Sequence, residues 1–287
     1  MIDLHTHTDA SDGTLSFGEL VREAARVRLK ALAITDHDGI GSAEKITGAG
    51  PVRLIPGVEL TVFDSGLGYS DIHMLGLFID TRSKPLKSGL MALARERERQ
   101  KMATVERLME LGYSITYEEV RKEAAGTVGR PHIARVLMRR YPDEFGSIPA
   151  VFEKLLGRGK KAYVGREGGF SLAEAIGLVH GAGGLAVMAH PLLYPYDPAK
   201  LLSDFKETGG DGMETYYDYR ANRPQDGISP EDNLRMVEEG RALAGELGLL
   251  ESGGSDFHGK NKSQGLGDFG APDELLPKLV RALRKPL

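Results

Sequence analysis

The chain has 287 residues, 41% of them hydrophobic, enough to bury a large core in one barrel or two small domains. It contains no cysteine, which excludes disulfides, thiolate metal ligands and a cysteine nucleophile, so any metal must be held by nitrogen and oxygen. The formal net charge of −4 is unevenly spread: Lys84 to Glu167 carries 18 basic and 11 acidic residues, a surplus of +7, and the remainder carries −11. A basic middle segment suits an anionic substrate, and suits equally a helical subdomain with solvated charged faces.

Ile2 to His7 predicts a first strand, apolar at Ile2 and Leu4, with His5 and His7 at its carboxyl end. No apolar run is long enough for a membrane span, and a functional strand at the start leaves no room for a signal peptide. A cytoplasmic enzyme is the expectation. Ser16 and Glu19 form a capping box that opens a helix over Phe17 to Arg28. The strand Ala31 to Thr35, a short helix near Ser42 to Ile46, and strands at Val52 to Pro56 and Ile72 to Ile79 follow.

From Pro85 to about Tyr163 the pattern is helical, with a second capping box at Thr116 and Glu119 and a helix start at Gly129-Arg130-Pro131. Alternation then resumes. Ser171 and Glu174 cap a helix, Leu185 to Ala189 and Gly212 to Tyr217 are strands, and Asp232 to Leu247 is a helix. The strand Leu249 to Ser252 and a helix from Asp273 to Lys285 close the chain. Seven strands alternating with helices predict a parallel α/β barrel, residues 1–84 and 164–287, with an inserted helical subdomain at 85–163.

Six of the eight histidines, His5, His7, His37, His73, His190 and His258, fall near the ends of these strand-like runs. Glu59 and Asp256 occupy equivalent places, and Asp12 follows His7 in the first loop. Side chains two apart on a strand share a face, so His5 and His7 project together, as do Asp256 and His258. A barrel gathers the carboxyl ends of its strands at one mouth. Nine such ligands are too many for one ion and suit two or three, with Glu59 as the natural bridge. Mixed imidazole and carboxylate ligation fits zinc, manganese or ferrous iron without choosing among them. Water activated by the ions as a metal-bound hydroxide would serve as nucleophile. No protein nucleophile is expected, since neither a G-x-S-x-G elbow nor a Walker A motif is present.

The segments HTHTDASDG, ITDHDG, GVEL, DIHMLG, MAHP and GGSDFHG resemble the PHP family, named for polymerase and histidinol phosphatase, in order and spacing from Met1 to about Gly270. The insert, with GRPHIARVL, resembles the branch of stand-alone phosphatases acting on nucleoside 3′,5′-bisphosphates and short RNA ends. The resemblance implies a distorted seven-stranded TIM-like barrel holding three metals, with manganese favoured. It places His5, His7, Glu59 and Asp256 on the first metal. It places Glu59, His73 and His190 on the second, and Asp12, His37 and His258 on the third. Some members of the family carry histidine where this chain has Asp12. With the resemblance, Arg130 and His132, at a helix start that favours an anion, become phosphate contacts. Lys161 and Tyr163 are weaker candidates for the substrate, Glu214 for a group behind the metals and Asp36 for orienting a ligand. His180, on a helix, is expected to be structural.

The expected reaction is removal of a phosphate from a small nucleotide. A nucleoside 3′,5′-bisphosphate would yield the 5′-monophosphate, and short RNA 5′ ends are a further substrate; stable binding of duplex nucleic acid is not expected. Histidinol phosphate is an alternative whose cationic groups suit the basic insert poorly. An amidohydrolase-like deaminase would also begin with H-x-H on a barrel strand. The dense set Asp12, His37 and His258, and seven strands in place of eight, count against it. The full ligand set counts against an inactive binding module.

Overall fold

The computed structural model describes residues 1–48, 50–124, 128–157, 159–165, 169–223, 226–261 and 264–283. They form two compact units, Met1–Leu90 with Phe170–Leu287, and Met91–Gly169. Among the described residues no helix is long and apolar enough to cross a membrane.

The first unit is built on seven strands: β1 Ile2–Asp3, β2 Ala31–Ile34, β3 Arg53–Asp64, β4 Tyr69–Leu77, β5 Leu185–Met188, β6 Gly212–Tyr216 and β7 Leu250–Gly253. They pair in chain order. All neighbours run parallel except β4, which is antiparallel to both β3 and β5. The two ends of the sheet meet: Leu4 N–H donates to Gly253 O at 3.1 Å, and Thr6 bridges Phe257. The result is the α/β, distorted barrel expected from the sequence, with one strand reversed.

The helices of this unit start where local chemistry dictates. Ser16 and Glu19 cap α1 (Phe17–Arg26), and Ser171 and Glu174 cap α6 (Leu172–Gly181), each pair by reciprocal hydrogen bonds. Ser229 and Asp232 cap α9 (Pro230–Leu247), which begins two residues before the expected start because Pro230 occupies its first turn. Helix α7 (Pro198–Glu207) was not expected, although Asp197 caps it and Pro198 opens it. The short α8 (Tyr219–Asn222) and α10 (Leu275–Ala282) complete the set; residues 284 and 285 of the expected last helix lie outside the described residues.

Period-two alternation separates two cores. Leu32, Ile34, Val58, Leu60, Met74 and Met188 face the surrounding helices, packing with Leu20, Val179 and Phe205. Their neighbours Ala31, Ala33, Ile55, Leu75, Leu77, Leu185 and Val187 form the second cluster, on which Leu275 and Leu279 pack. Continuing that parity along β3 and β4 places Glu59 and His73 on the same face as Ile55 and Leu75.

Two strand expectations need correction. Strand β1 is only two residues long, so His5 and His7 follow it; Thr6 N–H there donates to the Thr35 hydroxyl at 3.0 Å in place of a ladder partner. Strand β3 continues past Pro56 to Asp64 and turns into β4 through a hairpin containing Gly66 and Gly68. The outward run Val58, Leu60, Val62 buries against helices and carries the strand on.

The second unit is helical: α3 (Tyr117–Lys122), α4 (Arg130–Arg140), and α5 (Ile148–Val151) running into a π-helical turn, Phe152–Leu156. Helix α2 spans Lys84–Glu110. The core of this unit includes Leu108, Val120, Ile133, Leu137, Phe145 and Leu156.

Gly57 lets β3 pass close to both neighbours. A Cβ there would lie 2.7 Å from Thr35 Cγ2 and 3.0 Å from Gly76 O. Gly57→Ala should therefore cost about 1–3 kcal/mol of stability in urea unfolding; an unchanged midpoint would show that β3 shifts freely.

Candidate metal centre

The sequence-selected residues converge. His5 and His7 leave β1, His37 follows β2, Glu59 and His73 lie within β3 and β4, His190 follows β5, and Asp256 and His258 follow β7. In the reversed strand β4, His73 sits at the middle, not at a carboxyl end as expected. Together with Asp12, these nine residues form four groups whose ligand atoms lie within 4.8 Å of one another: His7, Asp12, His37 and His258; His5, His7 and Asp256; His5, Glu59 and His190; and His37, Glu59 and His73.

Glu59 is the hub. Its Oε2 lies 2.9 Å from His37 Nδ1, 3.2 Å from His7 Nε2 and 3.3 Å from His5 Nε2. Its Oε1 lies 2.8 Å from His73 Nδ1 and 3.2 Å from His190 Nε2. Around this hub, Asp256 Oδ1 sits 3.5, 3.3 and 3.3 Å from His5 Nε2, His7 Nε2 and His258 Nδ1. Asp12 reaches His258 Nε2 at 3.2 Å and stands 3.7 Å from His37 Nε2 and from His7 Nδ1.

These atoms suit divalent ions better than protons. Glu59 Oε2 is buried and makes no hydrogen bond among the described residues despite three imidazole nitrogens within 3.3 Å. His5 and His7 aim their Nε2 atoms at each other across 3.1 Å. A proton satisfies one acceptor, whereas an ion takes four or more nitrogen and oxygen donors at once.

Electrostatics shows the same frustration. Burial works against protonation of His5, yet Glu214, Glu59 and Asp256 raise it well above the ordinary imidazole value. His7, also opposed by burial, is pushed up to about 9 by the adjacent carboxylates of Asp256 and Glu59. Burial opposes ionisation of Glu59, but His37, His5 and His73 hold its carboxyl well below the usual range. Burial lowers His73 too and Glu59 outweighs it, leaving the group raised; His190 is lowered, chiefly by burial.

The sequence points to two of the supporting groups, Glu214 and Asp36, and gives no sign of the other two, Tyr194 and Tyr217. Glu214 Oε2 lies 3.0 Å from His5 Nδ1 and accepts the His190 N–H at 2.9 Å. Tyr217 donates its hydroxyl to Asp256 Oδ2 at 2.8 Å, and Tyr194 accepts the His73 N–H at 2.7 Å. The Asp36 carboxylate accepts from Thr8 and Ser11, bracing the loop that carries Asp12, and its carbonyl accepts the Glu59 N–H at 3.2 Å. His190 and Asp256 have φ of +32° and +52°, conformations that cost about 1–3 kcal/mol each in residues other than glycine.

The remaining candidates lie in the helical unit, apart from His180. Arg130, half-buried at the start of α4, stacks its guanidinium over Phe152 and Tyr163, 5.8 and 5.7 Å from the ring centroids. His132 is buried, and its Nδ1 accepts the Gly129 N–H at 2.8 Å, a helix-capping contact. The Lys161 side chain is exposed, and its carbonyl accepts from Arg107. His180 pairs with Asp211 at 2.7 Å on α6.

Residues 3–156 match the PHP domain, more than half of the chain. The chain belongs to the PHP family. Among curated relatives, it is 35% identical to a 5′-3′ exoribonuclease of Haemophilus influenzae over 89% of each protein. It is 32% identical to a 3′,5′-nucleoside bisphosphate phosphatase of Chromobacterium violaceum, covering 96% of this chain and 93% of that one. A crystal structure from Bifidobacterium adolescentis, assigned as a metal-dependent phosphoesterase, superposes with a TM-score of 0.79 at 29% identity, covering 99% and 96% of the two chains. This PHP protein is accordingly a metal-dependent phosphoric ester hydrolase, and the deaminase alternative falls.

The raised and lowered groups fix how the chelator-stripped protein responds to pH. A histidine raised from 6.5 to about 9, as His7 is, contributes stability below pH 6.5 that is lost as pH climbs through 9. Depressed Glu59 contributes stability that is lost only in acid. Urea midpoints measured with chelator present should therefore fall between pH 7 and 9.5. A rise over that range would mean these imidazoles are neutral in the metal-free fold.

Proposed function

We propose that this PHP protein holds two or three divalent transition ions on His5, His7, Asp12, His37, Glu59, His73, His190, Asp256 and His258. The observation that carries this reading is the buried Glu59 carboxylate ringed by five imidazole nitrogens within 3.3 Å. Manganese, ferrous iron and zinc all suit such ligands. Ions bound there supply Lewis acidity toward a phosphoryl oxygen and make water an effective nucleophile at neutral pH.

The chain's own residues set access and charge. Side chains of His5, His7 and Glu59 are at most 1% exposed, whereas Asp12, His37 and His73 are 45, 19 and 22% exposed. The reacting phosphate enters from the side of these three residues. The proposed substrate is a nucleoside 3′,5′-bisphosphate, converted to the 5′-monophosphate, or the 5′ end of a short RNA, as the activities of the two curated relatives suggest. Residues 85–163, with their basic surplus, act as the substrate-binding subdomain. Arg130 takes a second phosphate there, and aromatic contact holds its planar guanidinium in place. His132 supports that helix start by capping it.

Glu59→Gln preserves size and removes the central charge. Metal content should fall and hydrolysis drop by several orders of magnitude while circular dichroism stays native. A folded, metal-loaded variant with normal turnover would remove Glu59 from its bridging role.

Arg130→Ala tests the second phosphate. A charged hydrogen bond of roughly 1.5–3 kcal/mol corresponds to about ten- to a hundredfold in kcat/KM. That loss should appear with a nucleoside 3′,5′-bisphosphate and be small with p-nitrophenyl phosphate. Equal losses on both substrates would place Arg130 at the reacting phosphate, and none on either would remove it from the site.

A further inference from the structure

Strand β6 carries none of the nine converging residues, yet its end supplies two buried polar side chains aimed at them. Glu214 is 0% exposed. One of its oxygens, Oε2, serves two separate residues: the His5 ring through Nδ1 at 3.0 Å and the His190 backbone N–H at 2.9 Å. The other, Oε1, is buried without a hydrogen-bond partner among the described residues. Tyr217, also 0% exposed, spends its hydroxyl on Asp256 Oδ2 at 2.8 Å, leaving Oδ1 turned toward His5 and His7.

We propose that Glu214 and Tyr217 are positioning residues that set the donor atoms of His5, His190 and Asp256 for metal binding. A buried carboxylate with an unpaired oxygen is a poor stability device, because an apolar group of similar volume would avoid its desolvation cost. Its placement makes sense on the ligand side. By accepting a hydrogen bond from His5 Nδ1–H it leaves His5 Nε2 as the lone-pair nitrogen, on the side of Glu59 and His7, and makes that nitrogen more basic. The same oxygen anchors the peptide N–H of His190 where φ is +32°, so one atom fixes a ring on one strand end and a strained backbone on another. Tyr217 does the corresponding work for Asp256, whose φ is +52°. Neither residue touches substrate; both act through the residues they hold.

This inference rests on the metal-centre reading above, and the test separates the two. Chelator-stripped full-length protein is titrated calorimetrically with manganese or zinc chloride, for wild type, Glu214→Gln, Glu214→Ala and Tyr217→Phe. The zinc-loaded forms are then compared by histidine ¹H–¹⁵N correlation spectra. Loss of an outer partner of a metal ligand typically costs about 10- to 100-fold in affinity. Glu214→Ala should show that loss together with loss of the His5 Nδ1–H signal. Glu214→Gln, which keeps an acceptor oxygen, should retain the signal and recover part of the affinity. Tyr217→Phe should weaken binding without altering His5. Should Glu214→Ala fail to fold, Glu214→Gln and Tyr217→Phe still decide the matter, because each preserves the shape of the side chain. Wild-type affinity and an unchanged His5 signal in all folded variants would overturn the positioning role. Failure of the wild type itself to bind either ion would instead overturn the metal-centre reading.

Discussion

A single carboxylate, Glu59, organises the site. It is almost wholly buried, and a buried charge is tolerable only when it is paired. Five imidazoles surround it, more than one negative charge can satisfy if they are protonated and more than hydrogen bonding can use if they are neutral. Divalent ions resolve the conflict, since neutral imidazoles and carboxylates then all become donors to a common positive charge. Without ions the cluster is a stored electrostatic tension that the surrounding barrel must contain, and the left-handed backbone at His190 and Asp256 adds to it.

The reversal of β4 is what lets two side chains from adjacent strands share that hub. In the β3–β4 hairpin Thr61 pairs with His73 and Glu59 with Leu75, so Glu59 and His73 are diagonal neighbours on one face. Diagonal positions lie too far apart for short side chains but within reach of long ones, and the His73 Nδ1 to Glu59 Oε1 distance is 2.8 Å. The opposite seam is looser. Strands β1 and β7 meet through a few contacts at Leu4, Thr6 and His7, which lets the chain turn at Asp256 and bring His258 back beside Asp12.

Seven strands, their order of appearance and the convergence of nine polar residues were legible because each rests on local signals. Apolar alternation marks strands, capping boxes mark α1, α3 and α6, and ligand types stand at the ends of apolar runs. Strand direction was not legible, because β3 and β4 look alike whether a hairpin or a crossover joins them; the Gly66 and Gly68 turn was the available clue. Helix α7 was missed despite the Asp197-Pro198 start. Tyr194 and Tyr217 carry no pattern of their own. Their roles appear only when strands distant in sequence come together, and the contact of His132 with the Gly129 N–H likewise shows only in the folded chain.

Charge balance links the ligand set to an anionic substrate. The nine residues comprise six imidazoles and three carboxylates, Asp12, Glu59 and Asp256. With the imidazoles neutral they contribute −3, so two or three divalent ions, if held as proposed, would leave a net charge of about +1 to +3 facing an incoming phosphate dianion. Glu59 and Asp256 place their negative charge in the buried part of the set, whereas Asp12 places its own at the exposed edge. A histidine at that edge would raise the net charge by one and hold phosphate more tightly, product included. In the proposed centre a carboxylate there would keep the attraction but moderate it where the phosphate must leave, favouring turnover over retention.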